Sequence, residues 1–144
     1  MFAGLQWSAI IRGAVLDNVL TFLALVPIVL WLAGTGALSG DPESVDAAID
    51  RVATAPEFLL CSFLIGIAIT AYAGFWAARR AGAFHLRHGG WTAVASAALA
   101  VVFLLIPGAS TGPSSPWWYD AVAYASMLPA GVLGGWLASR RARS

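Results

Sequence analysis

Apolar residues in this chain fall in long runs, with most charged side chains gathered at the ends of the runs or between them. A helix needs roughly 20 apolar residues to cross about 30 Å of hydrocarbon, and four stretches meet or approach that length. The first covers 10–33, with Trp7 and Trp31 as interfacial anchors. The second covers 58–78, is entered through Pro56, and is closed by Trp76, Arg79 and Arg80. The third, 91–106, is shorter and stops before Pro107 and Gly108. The fourth, 119–139, starts beneath Trp117, Trp118 and Tyr119 and contains Trp136 just before Arg140, Arg141 and Arg143. Aromatic and arginine side chains suit such ends because they hold a polar tip at headgroup depth. The runs lack the alternating polarity of barrel strands, and in lipid each segment must satisfy its own backbone, so helices are predicted.

Between the first two runs a different period appears. Val45, Ala48, Ile49 and Val52 recur at helical spacing against Glu43, Asp46, Asp50 and Arg51, with Asp41 as cap and Pro42 at the first position. This predicts an amphipathic surface helix over 42–53, read first as a cover on the bundle and second as a docking element.

Helices in lipid associate where small residues let backbones approach. Ser62, Gly66, Thr70, Gly74 and Ala78 recur every four residues in the second run, and Ser126, Ala130, Gly134 and Ala138 in the fourth, with Gly131 and Gly135 beside them. Shorter rows are Ala9, Gly13, Asp17 and Thr21 in the first run and Ala93, Ala97, Ser96 and Ala100 in the third. Most of these rows are expected to be used inside the chain. The double row on the fourth helix can serve two neighbours, which predicts association with a second copy or with other membrane-protein subunits.

An internal repeat is also legible. Residues 73–80, AGFWAARR, resemble 134–141, GGWLASRR, and Trp7-Ser8-Ala9 echoes Trp91-Thr92-Ala93. The expected architecture is therefore an all-α membrane protein, a four-transmembrane-helix bundle in one membrane domain over 1–144, with the marks of a duplicated helical hairpin related about an axis along the membrane normal. Similar anchoring needs at equivalent helix ends are the alternative source of the likeness.

Composition agrees with lipid as the solvent: 60% of the 144 residues are hydrophobic and 10% charged, against about 25% charged in soluble domains. The apolar stretch over 19–40 is longer than a signal-peptide core, so the first segment is expected to remain as a span. All eight basic residues are arginine, which points to a GC-rich, bacterial genome. Seven of them fall on one side of the expected spans and only Arg51 on the other, together with most of the acids. Basic residues resist translocation, so both ends are expected in the cytoplasm, with the chain multi-pass in the bacterial inner membrane.

Asp17, followed by Asn18, is the one acid within a run. A carboxylate near the bilayer centre costs about 2.5 to 3.5 kcal/mol on insertion scales, so it needs a partner or a task. The first expectation is a polar lock with Arg79, Arg80 or Arg140 at neighbouring helix ends; the alternative is the intramembrane acid of a small transporter or channel. His85 and His88 read as part of a cationic interfacial segment touching anionic headgroups, with too few ligands nearby for a metal. The single cysteine, Cys61, rules out an intrachain disulfide. Pro27 and Pro129 fall within spans and could bend them. No nucleophile with a base, phosphate loop or nucleotide fingerprint appears, so neither an enzyme nor a cofactor is expected. Nucleic-acid binding is not expected either, because the arginines occupy membrane-anchor positions.

Trp7, Gly13-x-x-x-Asp17 and the closing phrase Gly134-Gly135-Trp136-Leu137-Ala138-Ser139-Arg140 together resemble a loose group of uncharacterised small four-span bacterial membrane proteins. That resemblance implies the bundle and no activity. Size and a single acid in the first helix also resemble small drug-exporting tetraspans, although their acid is a glutamate and their aromatic pattern is missing here. The function expected from sequence is a non-enzymatic accessory or assembly subunit of a larger membrane complex, or a homo-oligomer, with the Asp17 transporter or channel as the alternative.

Overall fold

The computed structural model describes residues 4–34, 45–105 and 115–142. They form five helices: α1 (Trp7–Gly34), α2 (Val45–Thr54), α3 (Pro56–Ala81), α4 (His85–Leu104) and α5 (Trp117–Arg141). The fold is all-α, with no strand among the described residues.

Among the described residues three helices are long and apolar enough to cross a membrane: α1 over Trp7–Trp31, α3 over Pro56–Ala81 and α5 over Trp117–Arg141. The helix carrying the third expected span is not among them. α4 begins six residues before Trp91, taking His85, Arg87, His88, Gly89 and Gly90 into its first turns. Its apolar part is rich in alanine rather than leucine or isoleucine, which lowers its hydropathy further. The 42–53 expectation corresponds to α2; its proposed cap, Asp41-Pro42, lies outside the described residues. Val52 and Ala53 of α2 are buried and the helix rests on α1 and α3, as a cover would.

Local signals explain where α3 starts and stops. Pro56 occupies a first-turn position, where its missing N–H is no loss. Gly82 ends the helix in the left-handed region (φ 69°), and its N–H reaches Ala78 O at 3.3 Å.

The contacts fix the helix directions. Gly13 meets Thr92 and Asp17 meets Ser96, so α1 and α4 advance together and are parallel. Ser62 meets Tyr119 and Gly74 meets Gly131, so α3 and α5 are parallel too. In contrast, Gly13 faces Ala77 while Asp17 faces Thr70, making α1 and α3 antiparallel. Likewise Gly135 meets His85 while Gly131 meets Ala93, making α4 and α5 antiparallel. α3 and α4 touch across the middle, whereas the backbones of α1 and α5 do not approach closely among the described residues.

Glycine is required where backbones meet. A Cβ on Gly74 would stand 2.7 Å from Gly131 O, and one on Gly134 would collide with Ala71 O of α3. Gly135, one residue on, is pressed against His85 of α4. The double row of α5 does serve two neighbours, and both belong to the same chain. Ala78, Ala130 and Ala138 of the small-residue rows are buried as well.

Candidate functional site

Asp17 marks the break in the apolar pattern of α1, and three helices converge on it. Its side chain is 2% exposed. Thr70 of α3 donates its hydroxyl to Oδ1 at 3.1 Å, and Ser96 of α4 donates to Oδ2. Asn18 donates through Nδ2 to Ser96 Oγ at 2.9 Å and to Ala14 O at 2.9 Å. Donors therefore run from Asn18 to Ser96 to Asp17, with Thr70 supplying a second donor to the carboxylate. The arrangement answers the cost of burying a polar group by giving it hydrogen-bond partners.

Hydroxyls thus meet the carboxylate where arginines were expected. Register is the reason: Thr70 lies opposite Asp17, and Arg79 is nine residues further along α3, about 13 Å at 1.5 Å per residue. The guanidinium groups instead cover aromatic rings at the helix ends. Arg79 lies 5.7 Å from the Phe75 centroid, Arg80 5.4 Å from Trp76 and Arg140 4.0 Å from Trp136, distances suited to cation–π attraction.

The Asp17 cluster forms one end of a cavity of about 420 Å³. All four long helices border it, and α1 and α5, whose backbones stand apart, face each other across it. Phe22, Val26, Phe63, Ile67 and Met127 supply apolar wall. From Asp17 to Val26 the wall extends about 13 Å along α1. At the far end Ser62 and Tyr119 join α3 to α5 through a 2.7 Å hydroxyl pair. Asp17 is the one charged residue among the described residues lining this space. Gly66, on the same sequence row as Gly74, lines the cavity, and a Cβ there would meet nothing within 4 Å. Ser126 also lines it, donating its hydroxyl to Ala123 O at 2.7 Å.

No family model, curated protein or solved structure matches this chain. The likeness to four-span bacterial proteins accordingly rests on the short phrases in the sequence, and the reading of the site rests on its geometry.

Two polar groups took on roles that the sequence did not disclose. His88 is fully buried rather than interfacial: the Gln6 backbone N–H donates to Nε2 at 2.9 Å, so the ring proton sits on Nδ1, which donates to Phe84 O at 3.2 Å. Gln6 Nε2 also donates to Ala81 O at 3.2 Å, tying the segment before α1 to the end of α3. Tyr119 read as one of three interfacial aromatics, yet its hydroxyl closes the cavity. Pairing depends on helix register, which local pattern does not carry. Among the described residues no group of three His, Cys, Asp or Glu side chains assembles for a metal.

The anchors stand at helix ends. Trp7, Trp31, Trp117, Trp118 and Trp136 are exposed, as are Arg79, Arg80, Arg140 and Arg141, while Trp76 is half-buried. Trp7 meets Trp91 edge-on, with centroids 6.1 Å apart.

Proposed function

We propose that this chain is a non-enzymatic, four-span protein of the bacterial inner membrane, with both ends cytoplasmic, and that it binds and transports a small organic monocation in the cleft above Asp17. The observation that carries this reading is a single buried carboxylate at the end of a mostly apolar cavity. One negative charge calls for one positive charge. Apolar and aromatic walls call for a carbon body, and the volume falls within the usual range for small-molecule sites of about 300 to 1,000 Å³. α4 serves as the fourth span despite its weaker hydropathy because α3 and α5 flank it and its polar first turns lie at one end.

The test is calorimetric titration of the purified protein with alkylammonium ions of increasing size, followed by uptake into liposomes. Asp17→Asn is expected to weaken binding at least tenfold while the helical bundle stays folded, as read by circular dichroism. Equal binding by both proteins would refute the assignment.

The open flank between α1 and α5 supports a second reading, in which a helix of a larger membrane complex, or of a second copy, fills the cleft and the chain acts as an accessory or assembly subunit. Copurification from native membranes separates the two. Constant recovery with one larger complex supports the accessory role, and solute movement by the isolated protein removes it.

A further inference from the structure

The end of the bundle where α3 and α5 terminate carries a second feature, independent of the Asp17 cleft. Two hollows of about 400 and 520 Å³ lie side by side on the outer surface of these helices, and both are lined by Tyr72 and Phe75. One is bordered by Arg79 and Arg80 of α3, the other by Arg140 and Arg141 of α5. Phe75 stands between the two sets: the Arg79 guanidinium lies 5.7 Å from its centroid and that of Arg141 5.6 Å. A single ring thus gathers cationic groups from two helices. Away from this end, the second hollow continues along Ala68, Ala71 and Leu137. Ala68 and Leu137 are exposed, and the small alanine side chains leave an open apolar channel beside the helix contact.

Charge complementarity identifies the occupant. Among the described residues the acids lie elsewhere: Glu57 and Asp120 sit in the first turns of α3 and α5, at the opposite end, Asp50 in α2, and Asp17 is bonded within the cleft. Four arginines around an apolar furrow at the headgroup level match a ligand with an anionic phosphate head and a hydrocarbon tail. Arginine forks suit phosphate oxygens geometrically, and basic pockets between membrane helices recognise phosphorylated lipid heads.

We propose that this furrow is a binding site for an anionic phospholipid, with the phosphate among Arg79, Arg80, Arg140 and Arg141 and one acyl chain lying along Ala68 and Ala71. Occupancy would bridge α3 and α5 at this end.

Native mass spectrometry of the full chain, released from nanodiscs of mixed phosphatidylglycerol and phosphatidylcholine, tests the proposal. The expected result is retention of one phosphatidylglycerol in preference to phosphatidylcholine, with a drop of at least tenfold in Arg79→Gln/Arg140→Gln. Arg12→Gln/Arg87→Gln removes the same charge elsewhere and is expected to retain the lipid; equal loss in both doubles would mean diffuse attraction and overturn the site. Ala68→Trp fills the chain channel and leaves every arginine in place, so it tests the tail separately. It should abolish lipid retention, and retention unchanged there would refute the acyl-chain placement. Glycerol phosphate is the soluble arm: displacement of the lipid by it at comparable concentration would identify a free-phosphate site instead. Equal retention of phosphatidylcholine by the wild type would also overturn the proposal.

Discussion

Asp17 and His88 show how polar side chains are kept inside this bundle. Each is surrounded by donors and acceptors that match its chemistry; Asp17 joins α1 to α3 and α4, and His88 joins α4 to the segment before α1. Removing a partner should therefore cost more than a surface change, because the group left behind stays buried. Ser96 both donates to Asp17 and accepts from Asn18, whereas Thr70 donates to Asp17 alone. Ser96→Ala is expected to lose about 1 to 3 kcal/mol and to exceed Thr70→Ala, measured by reversible denaturant unfolding in mixed micelles. The opposite ranking would mean that the Asn18 link carries no weight. His88→Leu strands the Gln6 N–H, while the Phe84 carbonyl keeps the backbone N–H donors of residues 87 and 88, so a loss of about 1 kcal/mol is expected in the same measurement; unchanged stability would show that the link from α4 to the segment before α1 is dispensable. At this scale the sequence revealed Asp17, because a carboxylate in an apolar run is visible without a structure. Its partners were not visible, since Ser96 and Thr70 are ordinary members of small-residue rows until helix register brings them opposite the acid.

Rows of small residues behave differently along a single helix. Gly66 and Gly74 sit eight residues apart on α3, yet one borders a cavity and the other meets the backbone of α5. Their substitutions should diverge accordingly. Gly66→Ala meets open space and removes the conformational freedom of glycine, so the bundle should be unchanged or stabilised by up to about 1 kcal/mol. Gly134→Ala places a methyl against the α3 backbone at Ala71, where no flexible side chain can move aside. It should lower the thermal transition of the bundle, read by circular dichroism in detergent. A neutral Gly134→Ala would contradict the close approach. The four-residue spacing correctly signalled that helices approach at glycines; which glycines meet and which line empty space depends on how far α1 stands from α5, information spread over the whole bundle.

The architecture of the whole molecule turns on α4. The parallel pairs α1 with α4 and α3 with α5 are what two copies of a helical hairpin inserted in the same sense would give, and the Trp7–Trp91 contact brings together matching positions of the repeat. Among the described residues three helices satisfy length and hydropathy; that symmetry and the packing of α4 against α1, α3 and α5 are the grounds on which a fourth crossing is proposed. On that reading the exposed Val94, Val101, Val102 and Phe103 of α4 would face lipid, while Ala93 and Ser96 pack inside the bundle. The difference has a direct consequence for the ends of the chain. With Cys61 replaced by alanine, single cysteines at Thr54, Ala83, Ser115 and Ala142 can be labelled by a membrane-impermeant maleimide in intact spheroplasts and in inverted vesicles. Four crossings place 54 and 115 on one side and 83 and 142 on the other, and the arginine distribution assigns the second pair to the cytoplasm. Three crossings, with α4 lying on the surface, would instead keep 83 and 115 together and put 142 across the membrane. Labelling of position 142 in intact spheroplasts but not of 83 would therefore remove α4 as a span, and with it the bundle that encloses the Asp17 cleft.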